Sequence, residues 1–204
     1  VDDCGPRASR FCIGVSLLEI RCPRAAGGRV LLLARNQVLD FQRMVQVVRQ
    51  VTIIHASPSW WRRLLPFVPA TSVDKGEFKD LRHASAGGDT VSPDLLEAMK
   101  GLFRNAEIFV IYGCTEISCM AVTHLVSRDC QIRKTWLGKP FRHVQLRLYD
   151  QNQRQVNDGL EGEIDIAGPG VTTGYLNLPE LPAEQCGPIA GRPFHRAGPW
   201  GRRG

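Results

Sequence analysis

Chemically versatile side chains cluster at Tyr112-Gly113-Cys114-Thr115-Glu116. A carboxylate suits a hard divalent cation. A threonine hydroxyl beside it can donate to an oxyanion. A tyrosine face can hold a flat ring. Gly87-Gly88-Asp89 adds a turn whose missing Cβ atoms let backbone come close to whatever binds there. The same residues also fit a plainer account. Glu116 would then be an acid at a helix start, Thr115 its N-cap and Tyr112 a core residue.

The surrounding sequence must position these groups. Leu17, Leu18 and Ile20 open an apolar helix that Gly27-Gly28 ends, and Arg29 to Ala34 reads as a buried strand. Asp40 to Gln50 has helical spacing of Phe41, Met44, Val45, Val47 and Val48. Val51 to Ala56 is β-branched and strand-like, and Pro58 stands near the first turn of a short helix over 59–65. Thr71 to Lys79 is polar and reads as loop. Leu81 to Ala86 is a strand, Ser92-Pro93 starts a helix with Ser92 as its N-cap, and Glu107 to Ile111 is another buried strand. Strand and helix thus alternate, which predicts an α/β fold with a partial parallel sheet and flanking helices. Segments following the strand C-terminal ends would converge on one crevice: Ser57-Pro58, Gly87-Gly88-Asp89 and Tyr112 to Glu116.

The pattern changes near Trp136. Val144 to Tyr149 and Glu163 to Ala167 alternate, with a polar turn region between them. This predicts a small β-barrel-like module. The expected organisation is 1–134 for the α/β part, 135–185 for the β part, and a tail over 186–204. That tail is rich in Gly, Pro and Arg, and no stable structure is expected there.

Composition excludes several classes. No apolar run approaches the roughly 20 residues of a membrane span, and no signal-like start is present, so no membrane partner and a cytoplasmic location are expected. The seven cysteines are odd in number and lack a CxxC pair, which reads as reduced thiols rather than a metal or disulfide framework. Net charge is +6, but the arginines are scattered apart from Arg62-Arg63 and Arg196, Arg202 and Arg203. Without interleaved aromatics this reads as a basic surface, with no nucleic-acid partner.

Tyr112 to Glu116, followed by Gly162-Glu163 through Gly174-Tyr175-Leu176-Asn177 and Pro179-Glu180 to Glu184, resembles two core motifs of the adenylate-forming superfamily. Gly87-Gly88-Asp89 resembles that family's GGE turn. The likeness covers roughly Ile13 to Glu184 and is closest to nonribosomal peptide synthetase adenylation domains, with acyl-CoA synthetases behind. It implies ATP-dependent activation of a carboxylic or amino acid, with ATP/AMP and Mg2+ as cofactors. CoA or a carrier protein would take the acid in the full-length enzyme. Thr115 and Glu116 become catalytic, Glu116 holding the metal. Gly87, Gly88, Asp89, Ile111, Tyr112, Gly113 and Thr115 would meet the nucleotide. Val15, Leu18, His55, Ala84, Ala86, Cys119 and Met120 would line the acid pocket. His55 is either a polar contact to substrate or a core histidine.

Departures are equally specific. Nothing resembles the family's phosphate loop or its lysine-bearing C-terminal subdomain, so the 204 residues read as a central fragment expected to be inactive alone. A truncation, a frame error or a decayed copy would each explain this, and a non-catalytic remnant that only binds nucleotide or a partner is the alternative. Gly14, or Cys12 on a second alignment, stands where amino-acid-activating members pair an aspartate with the substrate ammonium. Hydroxy, aryl, β-amino and fatty acids are therefore open. Val110 replaces an asparagine, and Pro199 replaces the aspartate of a ribose-binding motif near His195 to Arg202.

Overall fold

The structure, a computed structural model, describes residues 3–9, 13–69, 71–157, 159–177, 186–189 and 192–202. The chain divides into two compact units, one of Val1–Ile111 with His124–Gly138 and one of Tyr112–Thr123 with Lys139–Gly204. The single cut expected after 134 is thus replaced by an exchange of segments, with Tyr112–Thr123 grouped in the second unit.

In the first unit, β1 (Cys4–Arg7) precedes α1 (Val15–Ala25) and β2 (Arg29–Leu32). β1 and β2 pair in parallel, Cys4 opposite Arg29 and Arg7 opposite Leu32. The apolar run of β2 predicts burial, yet Leu32 is 72% exposed. Its one described ladder partner is β1, and an apolar run alone does not say how many faces a strand covers.

After a short helix α2 (Arg35–Val38), Asp40 caps α3 (Phe41–Val48) by accepting from the Arg43 N–H at 3.0 Å, which satisfies an otherwise orphaned donor. The apolar face of α3 is buried as its spacing predicts. β3 (Ile53–Ala56) leads to α4 (Pro58–Leu64), where the Ser57 hydroxyl accepts from Trp60 N at 3.3 Å. Thr71–Asp74 forms a single helical turn, α5, inside the stretch read as loop. β4 (His83–Gly87), α6 (Pro93–Leu102) and β5 (Glu107–Tyr112) complete the alternation. Ser92 occupies the N-cap position of α6 but makes no capping bond. Its hydroxyl instead accepts from Arg62, which also pairs with Asp94 at 3.0 Å.

β3, β4 and β5 are parallel and in register, with Ala56 beside Ala86 and Gly87 beside Ile111. Their helices bury Trp61, Leu64, Leu95, Leu96, Met99 and Phe103 into one apolar core. The Arg62-Arg63 pair is engaged locally, Arg63 lying over the Phe41 ring at 4.7 Å. Among the described residues no helix is long and apolar enough to cross a membrane.

In the second unit, the Val122–Thr123 half of β6 (Val122–Leu125) meets β7 (Lys139–Pro140) antiparallel through Val122–Pro140 and Thr123–Lys139. β8 (Gln145–Tyr149), β9 (Glu161–Ala167), β10 (Cys186–Ile189) and β11 (Arg192–Arg202) form an antiparallel sheet in the order β10-β11-β9-β8. No closed barrel is present among the described residues. The expected structureless tail is corrected here: 186–189 and 192–202 are strands, because pairing with β9 supplies the backbone partners that local composition does not announce. The ladder between β11 and β9 shifts register between Arg196 and Trp200. Pro199 falls within that irregularity, where a residue lacking an N–H is tolerated.

Candidate functional site

The signature loop closes on itself through backbone bonds. Ala121 N–H donates to Tyr112 O at 2.9 Å, and Cys119 N–H donates to Cys114 O at 2.8 Å. Thr115–Ile117 makes one 3-10 turn. Ser118 and Cys119 follow in the left-handed region, at φ 60° and 81°. Gly113 is required at the neck of the loop. A Cβ there would overlap the Cys119 carbonyl and crowd Met120 Cα.

A second segment docks on this loop within the same unit. Thr172 N–H donates to Glu116 O at 2.7 Å, and the Ser118 hydroxyl donates to Gly170 O at 2.8 Å. The Tyr175 hydroxyl donates to Glu116 Oε1 at 2.6 Å. The two sequence motifs therefore form one bonded assembly, although neither contains the other's partners in sequence.

Glu116 is partly buried and its carboxyl is held below the usual carboxylate range, first by the Tyr175 hydroxyl and further by Cys114 and by His195 charge. It is thus ionised near neutral pH and fits a cation. Burial pushes the Cys114 thiol up to about 12, and its hydrogen bond to Glu116 acts in the same direction. Burial likewise pushes the Tyr112 phenol up to about 12, so the ring remains neutral. His195, 6% exposed, is lowered by burial while Glu116 pulls the other way. Thr115 is exposed on the turn, and Cys119 and Met120 are partly buried at its end.

The first unit carries the other expected residues. A Cβ on Gly87 would overlap the Ile111 carbonyl, so the bare backbone here is a close approach between strands. Gly88 sits at φ 83°, and Asp89 is exposed, with its carboxylate accepting from Thr90 N at 2.6 Å. His55 is beside Ser85, Nδ1 to Oγ 2.9 Å. The Ser85 hydroxyl also lies 3.4 Å from Ile54 O. Burial lowers the His55 pKa to about 4.

Within the first unit, the residues expected to line an acid pocket do not share one face. Strand alternation puts His55 and Ser85 on one face of the sheet and Ala84 and Ala86 on the other. Both alanines are 0% exposed within the apolar core. Val15 and Leu18 lie on α1, which packs on β1 and β2. Gly14 is the N-cap residue of α1, and Val110 is core. Cys12 and the 179–184 motif end lie outside the described residues. Sequence reasoning does not single out Tyr175, Cys114 or His195 as site residues, though Tyr175 stands inside one quoted motif and His195 begins another.

The family model for the AMP-binding enzyme matches residues 9–176. The chain belongs to the AMP-binding enzyme family. This family member is 31% identical over 177 residues to a plipastatin synthase component of Bacillus subtilis (strain 168), covering 86% of itself and 5% of that protein. It is 27% identical over 187 residues to malpibaldin synthetase of Mortierella alpina, covering 90% and 3%. The chain therefore spans only a few hundredths of the length of these relatives. Among solved structures, IdnL1 superposes with a TM-score of 0.88 at 23% identity, covering 99% of this chain and 43% of that one. A four-domain nonribosomal peptide synthetase, AB3403, solved with AMP and glycine, gives 0.85 at 24% identity, covering 99% and 15%. These structural likenesses show that the chain shares its fold with both proteins.

Proposed function

We propose that this chain is part of an adenylation domain that activates a carboxylic acid with ATP, giving an acyl- or aminoacyl-adenylate and pyrophosphate. The bonded assembly of Glu116 with Thr172 and Tyr175 carries the reading, because it joins both motifs around one ionised carboxylate. Glu116 and Thr115 would face magnesium-bound phosphate oxygens, and Tyr112 would offer its neutral ring to adenine. Bound magnesium would supply charge neutralisation as pyrophosphate leaves. This chain's part is positional: the Tyr175 hydroxyl fixes one carboxylate oxygen, and the loop's backbone bonds hold Thr115 next to it.

For acid selection, His55 is the polar residue we assign to the substrate, with Val15 and Leu18 as its apolar companions in the same unit. With Gly14, or Cys12 on the second alignment, in place of the ammonium-pairing aspartate, an ordinary α-amino acid is disfavoured and hydroxy, aryl, β-amino and fatty acids are open. A carrier protein or CoA would receive the acyl group, and ATP and Mg2+ are the cofactors. The 204 residues contain no phosphate-loop lysine, so turnover by them alone is not expected.

Thermal-shift titration with Mg·ATP and a non-hydrolysable acyl-adenylate mimic tests this. A ligand-dependent rise in Tm that Glu116→Ala and Tyr112→Ala abolish is expected. A cooperative melt that neither ligand moves would end the nucleotide-binding reading. ATP–pyrophosphate exchange by this chain would end the claim that it is inactive alone.

A further inference from the structure

One cluster in the second unit exceeds what a magnesium carboxylate needs. Cys114 Sγ, a Glu116 carboxylate oxygen and a His195 ring nitrogen all lie within 4.8 Å of one another. They come from the signature loop and from β11, so no local sequence spacing reveals them. We propose that Cys114, Glu116 and His195 form a three-ligand site for a borderline-soft divalent metal of the zinc class, with a fourth position left to water or an exogenous ligand.

The donor types choose the metal. Magnesium and calcium take oxygen ligands and gain little from a thiolate or an imidazole. A sulfur, a nitrogen and an oxygen donor together suit zinc, which accepts all three at about 2.0–2.3 Å in tetrahedral geometry. Those bond lengths put neighbouring donors roughly 3.5 Å apart. Side-chain rotation of about an ångström closes the present separation, and Cys114 and Glu116 are already hydrogen-bonded.

The surroundings resemble those of a built metal centre. His195 is buried, and Cys114 and Glu116 are half-buried. The Tyr175 hydroxyl, at 2.6 Å from Glu116 Oε1, orients one carboxylate oxygen from outside the ligand set. Cys114 would bind as thiolate. Its proton passes to solvent on metal uptake, so one proton is released per thiolate–metal bond formed.

The test uses the chelator-treated full chain and Zn2+ or Co2+ alone, with no nucleotide present. It therefore stands or fails separately from the adenylation reading. One equivalent of Zn2+ per chain should be retained through desalting in the presence of excess Mg2+. Co2+ should give a thiolate-to-metal charge-transfer band that is lost in Cys114→Ser and kept in Cys119→Ser and Cys130→Ser. His195→Ala should weaken zinc affinity at least a hundredfold, and Tyr175→Phe about tenfold, in the range of outer-shell substitutions. Absence of the charge-transfer band from the unsubstituted chain would overturn the site, whatever the variants do. So would zinc retention unchanged in Cys114→Ser or in His195→Ala.

Discussion

The two units hold themselves together by different means. In the first, Phe41, Trp60, Trp61, Phe103 and Phe78 run as a series of ring contacts through an apolar core, with Trp61 and Phe103 fully buried. In the second, the buried apolar residues among those described are aliphatic, chiefly Ile117, Val122, Ile164, Ile166 and Val171. There the order around Glu116 comes from hydrogen bonds between backbone segments and from one tyrosine hydroxyl. The non-directional hydrophobic effect builds the scaffold, while directional bonds aim the reactive groups. The lesson is that core strength and chemical placement are separable quantities in this chain.

Three perturbations would break or sharpen that contrast. Trp61→Ala should be the most damaging, costing about 3–5 kcal/mol through lost burial and cavity formation. It also removes the indole N–H bond to Ser85 O at 2.9 Å. Denaturant unfolding reads this, and a cost below about 1 kcal/mol would show that the aromatic series is not what holds the first unit.

Acid should act next. The folded pKa of His55 is about 4, below its ordinary 6.5, so the unfolded chain binds the proton more readily. Stability attributable to neutral His55 is complete above pH 6.5 and is lost as pH falls towards 4, by up to about 3 kcal/mol. His55→Gln should flatten the stability profile in that window. Parallel profiles for both proteins would refute the assignment.

Gly113→Ala should cost about 1–3 kcal/mol by overpacking, because the added methyl meets backbone rather than a yielding side chain. The loss should appear first as a weakened Mg·ATP-dependent rise in Tm, the first unit's core being untouched. An unchanged nucleotide response would mean that the loop neck is softer than its geometry indicates.

Legibility in sequence follows the same division. Periodicity and the helix-start prolines announce α3, α4, α6 and the three parallel strands, because those features act over a few residues. β1 gives no signal: Cys4-Gly5-Pro6-Arg7 has no strand propensity and is ordered by its long-range partner β2. β11 is hidden for the same reason, its Gly and Pro content reading as a tail until β9 is beside it. The signature loop is visible as residue types. The roles of Tyr175, Cys114 and His195 are not, since they depend on segments far apart in the chain meeting at Glu116. The opposite facing of His55 and Ala84/Ala86 follows from register, which a single strand's sequence does not carry.

The consecutive left-handed residues Ser118 and Cys119 make the signature loop a loaded spring. Each non-glycine residue in that region stores on the order of 1 kcal/mol, and here the store is latched by Cys119 N–H on Cys114 O and by the Ser118 hydroxyl on Gly170 O. The shape of the turn is therefore held by hydrogen bonds to backbone elsewhere in the unit rather than by the local preference of its residues.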